Sequence, residues 1–302
     1  MQFFEKKSVI LDSRANCLFH PLGNCDKRLH HRHPVRVRKA TGELEEFDPR
    51  KIRRSLIRAG ADASLANEII SRVESEIYDG ISTRELLDLA LRHLRELRRP
   101  GLGVRYDLKR AIMRLGPTGY PFEKYVARVL AAHGYRVLGI GVVYQGRCVE
   151  QEVDIALEGE RGRIMVECKF HHEQGVYTDL KPAMYTYARF LDLEDHFDGA
   201  WLFTNTRFTT AAARYASCVG LMLTGWDLPR GAGLRELVDS TGLYPVTAID
   251  IPEEGWRALV SRGIVTLRDV ISAGVKRLKD AGLDRSTAAR VVKLAEEAAR
   301  YG

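Results

Sequence analysis

The sequence has little cysteine, and its five, Cys17, Cys25, Cys148, Cys168 and Cys218, are odd in number and scattered through 302 residues. A small scaffold stapled by disulfides needs an even, closely spaced set, so that class is excluded. Long apolar runs are missing as well: no window approaches the roughly 18 nearly uncharged apolar residues of a membrane-spanning helix. The start MQFFEKKSVILDSR meets its first charges too soon for the apolar core of a secretion signal. Also absent is any GxxxxGK[ST] stretch, which removes a Walker-type phosphate loop. These absences lead to the expectation of a soluble, cytoplasmic, reduced chain with no membrane partner.

Charge is plentiful but unevenly spread. Lysine and arginine number 47 against 40 acids, a net +7, with 29% of residues charged and 45% apolar. Residues 1–33 carry +3, 34–110 carry +4, 111–245 carry −2 and 246–302 carry +2. A modest basic excess permits a polyanionic partner without requiring one. The least basic stretch, in the middle, suits a site that binds a cation. Single cores usually span roughly 100–150 residues, so two or three domains are expected.

The first 33 residues gather Cys17, His20, Cys25, His30, His31 and His33. Cysteine with histidine invites zinc, but Cys17 and Cys25 lie eight apart, where compact sites usually open with a Cys-x2–4-Cys knuckle. Apolar residues are too few for an independent core, so a poorly ordered leader is the expectation.

From Val35 the pattern changes. Val35 and Val37 alternate with Arg36 and Arg38 before a turn at Thr41-Gly42, which reads as a short hairpin. Asp48-Pro49 marks a helix start, with aspartate as N-cap and proline where its missing N–H is not needed. Ile52, Leu56 and Ala59 give that helix an apolar face. A second helix is expected from about Ser64, and a third from Ser82, where Glu85 completes a capping box. Lys39, Arg50, Lys51, Arg53, Arg54 and Arg58 gather about the hairpin and first helix, where bases either hold phosphates or face solvent. The run VRVRKATGELEEFDPRKIRRSLIRAGA resembles the start of an ATP-cone domain, the nucleotide-binding regulatory module at the front of ribonucleotide reductases and of their repressor. The resemblance spans 34–98 and implies ATP or dATP as a regulatory ligand, with the triphosphate held by Lys39 and Lys51 and by Arg54 or Arg38. Family members commonly carry Lys-Arg before an Asn/Asp-Gly turn, whereas here the order is Arg38-Lys39-Ala40-Thr41-Gly42.

Arg99-Pro100-Gly101-Leu102-Gly103 is expected to break the helical pattern, and YDLKRAIMRLGPTGY to supply a short bridge helix. Phe122 to His133 then reads as a helix. Strand-like runs follow at 135–143, 148–157 and 163–170, the last two joined by a turn between Gly159 and Gly162. With a period of 2, Glu152 and Asp154 share one face of their strand, and Glu167 and Lys169 one face of the next. If those strands are neighbours, carboxylates and a lysine converge. Close carboxylates repel unless a cation lies between them, and hard oxygen ligands suit Mg2+ or Mn2+ rather than zinc. A solvated Glu-x-Lys pair is the plain alternative, but Ile164, Met165, Val166, Cys168 and Phe170 around it, and Val153 and Ile155 around Asp154, point to burial.

GYPFEKYVARVLAAHGYRV, EVDIAL and VECK, in that order, resemble the PD-(D/E)xK nuclease superfamily, and specifically its Mrr-like restriction-endonuclease branch. GAWLFTNTRFTTAAARYASCVGLMLTG continues the likeness through strand, Thr-Asn turn, helix and strand. The resemblance covers 117–240. It implies a core built on a central mixed sheet, with metal ligation by Asp154, Glu167 and the backbone carbonyl of Cys168. Lys169 is then the water-positioning or charge-stabilising residue, and Glu123 supports the metal from the opening helix. His171 and His172, with Thr206 and Arg207, are candidate DNA phosphate contacts, structural packing being the alternative. Tyr185, Tyr187 and Phe190 on a helix over about 178–193 either stack bases or fill a core.

After Pro245 the chain is expected to be helical. Its turns at Arg262-Gly263-Ile264 and Ala281-Gly282-Leu283 are somewhat similar to helix-hairpin-helix modules, which meet DNA phosphates through backbone N–H groups. The order expected is a leader over 1–33, an α+β ATP-cone-like domain over 34–98, a linker and bridge helix over 99–119, an α/β restriction-endonuclease-like domain over 120–245 and a small all-helical domain over 246–302. That order implies a metal-dependent DNA endonuclease under nucleotide control, dimeric where both strands are cut. Two other readings stay open: a nucleotide-responsive DNA-binding protein that does not cleave, and a nuclease that resolves branched DNA.

Overall fold

The computed structural model describes residues 35–116, 118–249 and 251–300. The leader, with its candidate zinc ligands, lies outside the described residues. Strands β1 (Arg36–Arg38) and β2 (Leu44–Glu46) form the expected hairpin, and the helices α1 (Pro49–Arg58) and α2 (Ala63–Glu76) follow. Strand β3 (Ile81–Ser82) joins β1 in parallel and runs straight into α3 (Thr83–Glu96). Each helix begins where a side chain takes up its free N–H groups: Asp48 for α1, Asp62 for α2 and the Ser82–Glu85 capping box for α3. Val37, Ile52, Leu56, Ile69, Ile81 and Leu94 meet in one core.

The stretch expected to break the pattern is helical instead. Helix α4 (Pro100–Tyr106) begins one residue after Arg99, and α5 (Leu108–Met113) follows. Pro100 is well placed in a first turn. Gly101 is there for close approach rather than for flexibility, since a Cβ on it would lie 2.8 Å from the backbone carbon of Glu297. A composition rule for linkers has no access to that distant partner.

Helix α6 (Tyr120–Ala132) leads into three antiparallel strands, β4 (Arg136–Gln145), β5 (Glu150–Gly159) and β6 (Gly162–Lys169). After β7 (Tyr177–Thr178) and α7 (Leu180–Asp192), β8 (Gly199–Thr204) lies parallel to β6. Then come β9 (Arg207–Phe208), paired with β7, and α8 (Thr210–Val219). Last, β10 (Met222–Thr224) lies parallel to β8. The five-stranded mixed sheet runs β10-β8-β6-β5-β4. Alternation buries both faces: Ile155, Leu157, Val166 and Cys168 pack with α6, while Ala156, Met165 and Leu202 pack with Ala183 of α7 and Ala212 of α8.

The chain finishes with α9 (Leu234–Thr241), α10 (Glu253–Ser261), α11 (Leu267–Asp280) and α12 (Arg285–Ala299). Gly274, at φ 63° and ψ 176°, interrupts α11 with a conformation that only glycine adopts readily. The apolar faces of this helical end merge with the α6 side of the sheet in one core that runs from Val104 to Ala298. Hydrogen bonds reinforce the join: Tyr125 Oη donates to the Leu243 carbonyl at 2.9 Å, and Thr247 Oγ1 to that of Ala111 at 2.6 Å. Among the described residues no helix is long and apolar enough to cross a membrane.

Candidate active site

A two-residue turn, Glu160-Arg161, fixes the register of β5 on β6, setting Gly159 opposite Gly162 and Ile155 opposite Val166. Gly162 takes a φ of 96° there, which favours glycine. Continuing the count sets Asp154 opposite Glu167. The ladder between the two strands ends at Ile155 and Val166, while β6 continues beside β8 as far as Lys169. The alternation of β5 also slips at this point. Ile155 packs on the α6 side of the sheet, yet Val153 packs on the α7 side. The strands therefore part at Asp154, and the cleft between them is held by the Cys168 N–H, which donates to Asp154 Oδ2 at 2.7 Å.

On β6, Glu167 stands opposite in sense to Val166 and Cys168 and so meets α7. Its carboxylate pairs with the Arg189 guanidinium, whose Nη1 also donates to the Glu152 carbonyl at 3.3 Å. Lys169, exposed at the strand end, adds a second positive charge that acts on Glu167. Glu123 enters from the first turn of α6. Its neighbour Phe122 packs on Phe170, ring centroids 5.4 Å apart, and so ties the start of α6 to the end of β6.

The electrostatics are those of a cluster short of positive charge. Burial, then Asp154, Glu152 and Glu167, push the Glu123 carboxyl up to about 7. Burial and Asp154 push Glu167 up to about 7 against the pull of Arg189 and Lys169. Burial raises Asp154 too, although the Cys168 N–H and Arg189 oppose it. Among the described residues no three His, Cys, Asp or Glu side chains close into a ready-made metal cage. Two opposed carboxylates and a backbone carbonyl nonetheless fit a hard divalent cation that keeps several of its waters.

The candidate DNA contacts divide. Thr206 is buried, and its hydroxyl lies 3.2 Å from that of Thr204 and 3.4 Å from that of Thr178. The expectation that it meets a phosphate gives way to an internal role, because a side chain enclosed in that hydroxyl cluster is not open to DNA. His171 is similarly fastened: its N–H donates to Asn205 Oδ1 at 2.8 Å, and its ring Nε2 lies 2.9 Å from Thr178 Oγ1. Burial, then Lys169, lower its pKa. Arg207 remains half exposed in an ion pair with Asp227 at 2.8 Å, and His172 is exposed beside Glu173 at 3.7 Å. Tyr187 packs against Tyr215 and Phe190, which favours the core reading of that aromatic stripe, whereas Tyr185 stands 70% exposed.

In the N-terminal unit, Lys39 and Lys51 converge on Glu45, with Nζ to Oε2 distances of 3.2 and 2.9 Å. Lys51 first, and then Lys39, hold the Glu45 carboxyl below its usual range against the opposing effect of burial. A cavity of about 240 Å3 lies alongside, lined by Glu45, Asp48, Lys51, Thr83 and Tyr106 among others. Of the four bases expected to hold a triphosphate, Lys51 lines it. Arg38 donates instead to the Gly80 carbonyl at 3.1 Å, and Arg54 is exposed on α1.

The ATP cone domain family matches residues 35–112, and the restriction endonuclease family of Mrr type matches residues 116–228. The chain thus carries an ATP cone domain followed by a restriction endonuclease domain of the Mrr type. An uncharacterized protein of Archaeoglobus fulgidus is 48% identical over 173 residues, which are 57% of this chain and 98% of that protein. The crystal structure of the protein of unknown function AF1548 is 46% identical with a TM-score of 0.55, covering 60% of this chain and 97% of that one.

Three members of these sites escape a reading of the endonuclease sequence. Arg189 sits 22 residues beyond Glu167 on a helix whose aromatic residues are its visible feature. Asn205 clasps His171, two residues beyond β6, returning Nδ2 to the His171 carbonyl at 2.7 Å. Glu45 in the cone is one of three nearby glutamates, and only folding selects it as the shared partner of two lysines.

Proposed function

We propose that the nuclease domain hydrolyses DNA phosphodiester bonds with Mg2+ or Mn2+, and that ATP or dATP in the cone regulates it, in a soluble cytoplasmic protein. The observation that carries this reading is the opposition of Asp154 and Glu167 across two parting strands, with both carboxyls driven toward the protonated form. Asp154, Glu167 and the Cys168 carbonyl are the ligands assigned. The ion supplies Lewis acidity toward the scissile phosphate and makes a bound water more acidic. Lys169, on the same face as Glu167, orients the attacking water and offsets charge that builds on the phosphate oxygens. Glu123, titrating close to neutrality, accepts a hydrogen bond from that water and can take its proton. Arg189 fixes the rotamer of Glu167. Arg207 and His172 remain open to the DNA backbone, and cutting both strands calls for a homodimer. In the cone, Lys39 and Lys51 exchange Glu45 for the triphosphate.

The test is cleavage of plasmid, nicked, branched and single-stranded DNA with Mg2+, with and without ATP. Lys169→Ala should abolish cleavage while DNA affinity stays within about threefold, since one exposed lysine contributes little to a polyelectrolyte contact. A full-rate variant sinks the assignment. Preference for the branched substrate identifies a junction nuclease, and binding without any product identifies a non-cleaving protein.

A further inference from the structure

A second cavity, also about 240 Å3, lies where the cone meets the nuclease domain, between α1, α4 and α5 on one side and Trp226 and α9 on the other. Its wall carries Arg58, Arg105, Lys109 and Arg235 with Asp239. Arg235 is paired with Glu236 beside it. That leaves three cations facing one carboxylate, and Asp239 already accepts a hydrogen bond from Tyr244 Oη at 3.0 Å. The charge at this junction is thus opposite in sign to that of the catalytic cleft.

Arg105 points to the missing group. Its guanidinium lies 5.3 Å over the Tyr244 ring and acts on the Tyr244 hydroxyl and on Asp239, yet its Nε and Nη1 are buried without a hydrogen-bond partner. Buried donors are almost always satisfied, and a charged set that is not satisfied marks the place of an absent acceptor. Lys109, on the same wall as Arg105, tells a similar story. It lies 5.3 Å over the Trp226 ring, where burial, then Arg207 and Arg235, disfavour its charged form against the opposing pull of Asp227, which is itself paired with Arg207 at 2.8 Å. Like charges gathered in a half-enclosed space call for an anion between them.

We infer that this junction cavity is a phosphate site, in which Arg105, Arg58 and Lys109 receive one phosphate or pyrophosphate group of a nucleotide or of DNA. The fork of a guanidinium matches phosphate oxygens in pairs, and the ammonium adds a point charge. The cavity is too small for a duplex to enter, so DNA can offer it only a backbone phosphate or a strand end. It is distinct from the Lys51 cavity, with which it shares only Ser55 and Tyr106 of its lining. Because its walls come from both domains, an occupant contacts cone and nuclease at once.

The experiment is isothermal titration calorimetry of pyrophosphate against the full-length chain in a Lys51→Met background that also carries Lys39→Met, so that both lysines of the other site are gone. Binding should persist in that background and weaken by about tenfold or more on adding Arg105→Met, the cost expected for a bidentate charge-assisted contact. Arg58→Gln, an exposed position that does not risk the fold, should weaken it by about threefold or more. Parallel titrations with ATP and with a short duplex identify the source: whichever loses affinity in the Arg105 and Arg58 variants is the natural phosphate donor. Failure of pyrophosphate to bind the chain carrying Lys39→Met and Lys51→Met, or equal affinity in both folded variants, overturns the inference.

Discussion

The cone and the cleft solve opposite electrostatic problems with the same residue types. In the cone, Lys39 and Lys51 close on Glu45, whose carboxyl is held below its usual range, and Lys39 pairs with Glu43 as well, at 3.0 Å. In the cleft, Arg189 acts on Asp154 and Glu167 and Lys169 on Glu167 alone, and the carboxyls of Glu123, Asp154 and Glu167 are all raised. Partly exposed lysines held only by partly exposed carboxylates can exchange them for a more highly charged anion. Carboxylates that their cations do not satisfy leave a demand for one more cation. The direction of each shift agrees with the sign of the ligand proposed for each region.

The largest effect should come from the cleft. Asp154→Asn removes a charge but keeps the shape and a carbonyl acceptor for the Cys168 N–H. Cleavage with Mg2+ should fall by on the order of a hundredfold or more, as for other losses of transition-state charge stabilisation. DNA affinity, measured by fluorescence anisotropy, should be unchanged or slightly tighter. Retained cleavage would break the contrast at its stronger end.

The cone gives the next effect, and there two substitutions should diverge. Lys51→Ala removes a charge-assisted contact worth about 1.5–3 kcal/mol, so ATP affinity should drop by about tenfold or more. Glu45→Gln removes the internal competitor for Lys39 and Lys51, so ATP should bind more tightly than to the unaltered chain. Calorimetry that found both variants weakened would mean that Glu45 serves the ligand directly rather than standing in its place.

Much of this contrast is legible in the sequence because local rules set it. The two-residue turn between Gly159 and Gly162 fixes the hairpin register, and that register alone sets Asp154 against Glu167. Period-2 alternation then separates Glu167 and Lys169 from Val166 and Cys168. The capping residues Asp48 and Ser82 mark helix starts that the structure shares. What local rules miss is partnership across long separations. Gly101 reads as a break until Glu297 is seen beside it, and Thr206 reads as an open phosphate contact until Thr178 and Thr204 enclose it. Arg189 carries no signal at all, since a single arginine on an amphipathic helix has no preferred partner until the sheet supplies Glu167.

Proton linkage sharpens the comparison further. A cation must displace whatever proton Glu167 or Glu123 holds, and burial with the neighbouring acids pushes both carboxyls up to about 7. Mg2+ affinity should therefore rise by about tenfold between pH 6 and pH 8 for each proton released. Glu123→Gln should flatten part of that slope if Glu123 is one of the groups that must ionise. Nucleotide binding in the cone should show no such rise, because Glu45 is already ionised throughout. Parallel slopes in the two titrations would erase the distinction.

The smallest effect is on stability, and its sign is what counts. A carboxyl whose folded pKa is raised favours the folded state at low pH, and that contribution is lost as pH climbs from about 4.5 through about 7. At pH 8, without metal, Glu123→Gln should therefore raise the melting temperature, as neutralising a repelled charge relieves the cleft. Glu45 runs the other way: its lowered pKa contributes stability above the unfolded value and loses it only as pH falls through the folded one. Glu45→Gln at pH 8 should lower the melting temperature, by roughly 1–3 °C, because its ion pairs are half exposed and screened. Both differences should shrink by pH 4, where each carboxyl is largely protonated in the unfolded chain. Melting curves in which the two variants shift in the same direction at pH 8 would show that charge imbalance does not separate the cone from the cleft.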